Sequence, residues 1–174
     1  MYFSMFPKGY YDLKGDGNPK IVTDLMRRVK VRSKIKDEAS LYDSYDVVDG
    51  DTPESIAFKF YGNSELHWVI LMLNGVTDRY YGWPLTTFEF EKMLKEKYTT
   101  PDGIHHYEKV QSSGPQTSTD YSHLIECKST DVGAQIVSNR EYEDREQVKK
   151  RQIKLLSPGV LPALLEEFQS LISQ

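Results

Sequence analysis

Apolar residues along this chain recur with two different periods. Val29, Val31 and Ile35 share one parity and Lys30, Arg32, Lys34 and Lys36 the other, which predicts a half-buried strand with a basic face. A helix is expected just before it, at 22–28, and LKGDGNP (13–19) reads as a turn. From Tyr45 the pattern changes. YDVV (45–48) reads as a short strand, and Asp49, Gly50 and Asp51 turn the chain. Thr52 suits a helix N-cap and Pro53 the first helical position, where a missing N–H is no loss. Ile56, Ala57, Phe60 and Tyr61 then recur at helical spacing. Gly62 and Asn63 close that helix. Ser64 is expected to cap the next, ELHWVILMLN, which is apolar nearly all round and so should be buried on several sides. Asn74 and Gly75 supply its left-handed stop.

Beyond Gly75 lies an aromatic loop, VTDRYYGWPL (76–85). Thr86 and Glu89 form a capping box for a third helix, with Phe90, Met93, Leu94 and Tyr98 near one face. HHYEKV (105–110) and YSHLIECKS (121–129) read as two strands of a hairpin arm, joined by a long polar tip. Asn139 should cap a mixed-charge helix over 140–150, supported by Glu141–Arg145 and Glu146–Lys150 pairs worth a few tenths of a kcal/mol each. RQIKLL (151–156) reads as a short strand, broken by Ser157, Pro158 and Gly159. A last helix from Leu161 carries Leu164, Leu165, Phe168, Leu171 and Ile172 on one stripe, which must dock on the body or on a partner. The expected class is α+β: an N-terminal extension (1–43), a small β-α-α core with a following helix (44–98), a β-hairpin arm (99–138) and a C-terminal helical segment (139–174).

Composition narrows the function classes. A chain of 174 residues, 39% hydrophobic and 28% charged, can bury a core. Its net charge of −4 argues against general nucleic-acid binding. The single cysteine, Cys127, rules out a disulfide within the chain and reads as a small buried residue. No signal-peptide pattern opens the sequence, and the longest apolar block, WVILML (68–73), is too short to span a bilayer. Folding in a cytoplasm, with no membrane partner, is the expectation. The 12 tyrosines suit either a tyrosine-rich core or surfaces that become buried on association.

Little in the sequence points to catalysis. His67 falls in the apolar helix and reads as a packed core histidine. Adjacent His105 and His106 would point to opposite faces of a strand. His123 and Cys127 would share a face, without a zinc-type motif beside them. Glu54 and Glu65 open helices, where acids are expected for dipole reasons. Catalytic residues, a metal site and a cofactor are therefore all expected to be absent.

Tyr45, Val47, Gly50-Asp51-Thr52, Ile56-Ala57 and Asn74 together resemble a LysM domain. That resemblance implies a β-α-α-β unit, and many of its members bind N-acetylglucosamine polymers; on that alternative, Gly50, Asp51 and Thr52 would touch the glycan. After Asn74 the pattern departs, because 76–85 stands where the second strand is expected. FPKGYY, GDTPESIAFKFYG, LHWVILMLN, DRYYGWPL and EKY, with NREYEDREQVKKRQIKLLSP near the end, resemble the gene-fifty-three family of baseplate wedge proteins of T4-type contractile-tailed phages. The resemblance implies a non-enzymatic subunit of the virion tail that bridges wedge proteins. It would lock neighbouring wedges into a six-fold ring, with hub or tube-initiator proteins as further partners. Tyr80, Tyr81 and Trp83 on the aromatic loop, with Phe168 and Leu171 on the last helix, are the expected partner-binding residues. The basic run 27–36 could grip an acidic partner or form a solvated strand face.

Overall fold

The computed structural model describes residues 2–27, 29, 39–111 and 123–173. Strands β1 (Lys8–Tyr11), β2 (Lys20–Thr23) and β3 (Tyr42–Asp46) come first. Helices α1 (Pro53–Tyr61), α2 (His67–Leu73), α3 (Arg79–Gly82) and α4 (Thr87–Lys97) follow. Then come β4 (Ile104–Val110), β5 (Leu124–Cys127), β6 (Gln135–Ser138), α5 (Asn139–Arg151), β7 (Gln152–Leu156) and α6 (Leu161–Ser173). The chain divides into two units. The first joins Met1–Trp83 to Arg151–Gln174, and the second is Pro84–Lys150. This division differs from the boundaries expected at 43, 98 and 138, because β7 pairs with β3 and so returns the C-terminal segment to the first unit.

In the first unit β3 and β7 run antiparallel, from Tyr42 opposite Leu156 to Asp46 opposite Gln152. Together with α1 and α2 they make a β-α-α-β arrangement whose last strand comes from beyond residue 150. Thr52 caps α1 reciprocally with Ser55, Pro53 stands in the first turn, and Gly62 ends the helix at φ 69°. Asn63 caps the following 3₁₀ turn (Ser64–Leu66) in place of Ser64, its side chain accepting from the Glu65 N–H. His67 is half-buried and bonds locally to the Ser64 carbonyl through Nδ1 at 3.0 Å, so it is a helix-entry residue rather than a core histidine.

The expected all-round burial of α2 has a concrete cause: the helix lies between two apolar clusters. Trp68, Val69 and Leu73 join Phe6, Leu156, Leu161, Phe168 and Ile172 on one side. Ile70 joins Val47, Ile56, Ala57, Trp83, Ile153 and Leu155 on the other. Four residues of the C-terminal stripe, Leu164, Leu165, Phe168 and Ile172, thus dock on their own chain, and Leu171 stays exposed. Phe168 meets Trp68 with ring centroids 4.7 Å apart, and Tyr2 lies 5.0 Å from the same indole. Each large side chain buried here contributes roughly 1.5–3 kcal/mol.

Residues expected as a helix at 22–28 begin instead as β2. Ile21, Val22 and Thr23 are β-branched, and they pair with Tyr10, Gly9 and Lys8 of β1. The alternating run 29–35 lies almost wholly outside the described residues, as does most of the hairpin tip, 112–122.

The second unit holds a three-stranded antiparallel sheet in the order β5-β4-β6, with helices α4 and α5. The hairpin arm is therefore part of a sheet, because β6 adds a third strand beside β4. Thr86 and Glu89 make the expected capping box. Ser138, rather than Asn139, caps α5, its hydroxyl accepting from the Glu141 N–H. Glu141 pairs with Arg145 as expected, whereas Glu146 pairs with Lys149, one residue before the expected Lys150. Leu94 and Val137 are almost completely buried. Charge does much of the remaining joining. Lys97 and the Tyr98 hydroxyl both donate to the Glu143 carboxylate, and Arg140 pairs with Glu91 and Asp102. Burial pushes the Glu143 pKa up, but the bonds from Lys97 and Tyr98 outweigh it and hold the carboxyl below its ordinary value.

His105 and His106 do not point apart. The strand register slips between Ile104 and His106, and this irregularity brings the two Nδ1 atoms to 2.7 Å. His105 stacks on Tyr142 at 4.0 Å, and His106 Nε2 meets Glu108, which also pairs with Arg145.

Candidate functional site

The segment after α2 is built to present two side chains. Asp78 caps α3, its carboxylate accepting from the N–H groups of Tyr80 and Tyr81 at 2.8 and 3.4 Å. Arg79 pairs with Glu54 at 3.1 Å, which ties α3 to the start of α1. Gly82 is required by close approach: a Cβ there would meet Val76 Cγ1 at 2.9 Å. These ties hold a four-residue helix that could not persist alone.

The structure separates the three aromatic residues expected to act together. Trp83 is only 7% exposed and packs in the cluster with Val47, Ile56 and Ile70. Its indole N–H donates to the Asp51 carbonyl at 3.0 Å. Trp83, expected on the aromatic loop among the partner-binding residues, is thus packed into the core of its own chain. Proximity of the two connections, 47–52 and 74–83, creates a buried site that sequence spacing does not display. Tyr80 and Tyr81 are 81% and 80% exposed. Phe168 is buried in the core and Leu171 is exposed.

The three candidate glycan residues sit beside this face with their polar groups engaged internally. Gly50 takes φ 86° to make the turn. The Asp51 carboxylate accepts from the Tyr45 hydroxyl at 2.7 Å and from the Val48 N–H at 3.2 Å. The bond to this carboxylate is the leading reason that the Tyr45 pKa is raised. The Asp51 carbonyl takes the Trp83 indole, and Thr52 exchanges bonds with Ser55.

A second group of exposed apolar side chains lies on the β1–β2 ribbon, including Tyr10, Tyr11, Ile21 and Val22. The glycine-bearing turn at 13–19 was the signal for it, since it is flanked on both sides by β-prone residues. Among the described residues, no group of three or more His, Cys, Asp or Glu side chains is placed to hold a metal ion. Nor is any described helix long and apolar enough to cross a membrane. The face around α3 offers two amphipathic rings on a fixed support, an arrangement that suits recognition of a protein surface.

Residues 1–116 match the family described as Base plate wedge protein 53. The chain is also 37% identical over 93 residues to the baseplate wedge protein gp53 of Enterobacteria phage T4. That match takes in 53% of this chain and 47% of the relative, so the similarity spans about half the length of each. With a family match over more than half of its residues, this chain belongs to the Base plate wedge protein 53 family.

Proposed function

We propose that the chain is a non-enzymatic structural subunit of a contractile-tail baseplate wedge. In this reading it bridges other wedge subunits and hub-proximal or tube-initiator proteins, and it locks neighbouring wedges into a six-fold ring. It is made in the host cytoplasm and resides in the virion tail.

Family membership supports the setting. The observation that carries the docking role is the exposure of Tyr80 and Tyr81 on a helix held by Asp78, Arg79 and the Trp83 anchor. Preorganised tyrosines lose little conformational freedom on binding, and buried tyrosines are frequent energetic anchors of interfaces. We also read the β3-α1-α2-β7 arrangement as a LysM-like unit, with residues 84–150 inserted before its last strand. The internal bonds of Asp51 and Thr52 favour a protein-facing use of this unit over a glycan groove.

The test is the full-length Tyr80→Ala/Tyr81→Ala variant in tail assembly. Thermal unfolding should be unchanged, while incorporation into tails should fall by about tenfold or more. Incorporation at the unmodified level would remove the two tyrosines as anchors.

A further inference from the structure

The two-stranded sheet of the first unit has one closed edge and one open edge. Its phase is fixed by two bonds of 2.9 Å, from the Ser157 N–H to the Leu41 carbonyl and from the Val47 N–H to the Arg151 carbonyl. In an antiparallel ladder, hydrogen-bonded pairs alternate with pairs that are not bonded. Asp43 therefore bonds Leu155 and Tyr45 bonds Ile153, while the backbone groups of Ser44, Asp46, Lys154 and Leu156 point away from the partner strand.

On β7 those outward groups are used. Asn74 takes both the N–H and the carbonyl of Lys154, and the Leu156 N–H donates to the Tyr61 hydroxyl at 3.0 Å. On β3 the series is closed only past its end, where the Val48 N–H donates to the Asp51 carboxylate at 3.2 Å. Ser44 and Asp46 are exposed, and no group among the described residues takes their outward N–H or C=O. Two successive outward residues on an exposed edge are a template for pairing with another chain.

We propose that this edge is a strand-addition site, at which an extended segment of a neighbouring protein subunit, carrying Lys or Arg, pairs with β3 as a third strand. This rests on the assembly reading above. The alternating donors and acceptors decide the class of partner, because an extended polypeptide presents the matching series. Charge decides its composition. The strand Tyr42–Asp46 holds exposed Asp43 and Asp46 and no Lys or Arg, and Lys154 of β7 is turned to the Tyr42 ring at 5.9 Å. Asp43 and Asp46 lie on opposite faces of the strand, so a cation on each face of the added strand meets one of them. The same acids repel nucleic-acid phosphates and count against a second copy of this chain. Pairing β3 with itself about Ser44 sets the Asp43 carboxylates of the two copies on one diagonal, and a shift to Asp46 opposite Asp46 sets two acids face to face.

The experiment supplies the full-length chain to tails that lack their own copy. Ser44→Pro deletes one outward donor. Proline is tolerated where the N–H of an edge strand faces solvent, and the β3–β7 bonds do not use this N–H. The variant should unfold near the parent's temperature, yet its incorporation should fall by about tenfold or more. Ser44→Ala keeps the donor and should enter at the parent's level. Asp43→Lys/Asp46→Lys, which leaves every backbone group in place, should also lose about tenfold or more. A benzophenone amino acid at Ser44, irradiated after assembly, should crosslink to a Lys- or Arg-bearing segment of another tail subunit. Parent-level incorporation of Ser44→Pro or of the double Lys variant would overturn the proposal. So would a Ser44→Ala loss equal to that of Ser44→Pro, or crosslinks to a second copy or to nucleic acid. If Ser44→Pro does not fold, the double Lys variant and the crosslink decide. If the unmodified chain does not enter tails, this proposal and the assembly reading both fall. If it enters and the edge variants enter equally well, only this one does.

Discussion

Asn74 binds the backbone of Lys154 in both directions, across eighty residues of sequence. Its Nδ2 donates to the Lys154 carbonyl at 2.9 Å, and its Oδ1 accepts from the Lys154 N–H at 2.8 Å. The same Nδ2 also reaches the Ile70 carbonyl at 2.9 Å. One side chain thus closes the end of α2 and aligns β7 beside it. Asn74→Ala should cost about 1–3 kcal/mol, because the two bonds to the Lys154 backbone and the one to the Ile70 carbonyl are lost at once. Asn74→Asp should cost at least as much, since it puts a carboxylate against two carbonyl oxygens. Urea denaturation of the three proteins measures both effects, and a cost below about 0.5 kcal/mol would remove Asn74 as the clasp.

Trp83 and its neighbours Tyr80 and Tyr81 should behave oppositely. Trp83→Ala empties part of the core and leaves the Asp51 carbonyl without its donor, for an expected loss of about 3–5 kcal/mol. Tyr80→Ala or Tyr81→Ala should stay within about 0.5 kcal/mol of the parent, as exposed substitutions usually do. Denaturation midpoints that rank the three variants alike would contradict this division.

Gly82 predicts a compensating pair. Gly82→Ala drives its methyl into Val76 Cγ1 and should destabilise by about 1–3 kcal/mol, in the manner of overpacking. Val76→Ala in the same chain should recover most of that loss. A double variant no more stable than Gly82→Ala would show that something other than this contact requires the glycine.

The second unit should be acid-sensitive. Burial raises the pKa of Glu143 and of Glu108, but bonds from Lys97 and Tyr98 to the first, and from Arg145 and His106 to the second, leave both lowered. The folded state therefore binds fewer protons than the unfolded chain. The resulting stability is complete above the ordinary glutamate value of about 4.3 and is lost as pH falls through the lower folded values. Glu143→Gln should flatten this acid limb in hydrogen-exchange measurements on α4 and α5. A limb as steep as the parent's would assign the sensitivity elsewhere.

The glycan alternative has a direct check. With Asp51 and Thr52 bonded internally, titration with chitin oligosaccharides should give no affinity tighter than millimolar. Micromolar binding would show that the loop opens to a sugar.

Local chemistry made much of the fold legible in the sequence. Thr52 with Pro53, Thr86 with Glu89, Gly62 and Gly75 mark helix ends through backbone groups within a few residues, so reading them needs no knowledge of distant contacts. The apolar circumference of α2 announced burial on several sides for the same reason. Non-local pairings were not legible. RQIKLL could be read as a strand, but nothing in its composition names β3 as its partner, and so the β-α-α-β arrangement looked incomplete. Trp83 looked like a surface anchor because its burial depends on Asp51 and Val47, which are distant in sequence. His105 and His106 were set on opposite faces by strict alternation, which one register slip cancels. The sequence by itself determined the helix caps, the α2 core and the family resemblance, all of which depend on short-range chemistry and pattern. Only the tertiary structure decided which strand completes the first unit, which of the three aromatic residues faces water, and that most of the C-terminal stripe is spent on its own chain, because each depends on what distant segments bring together.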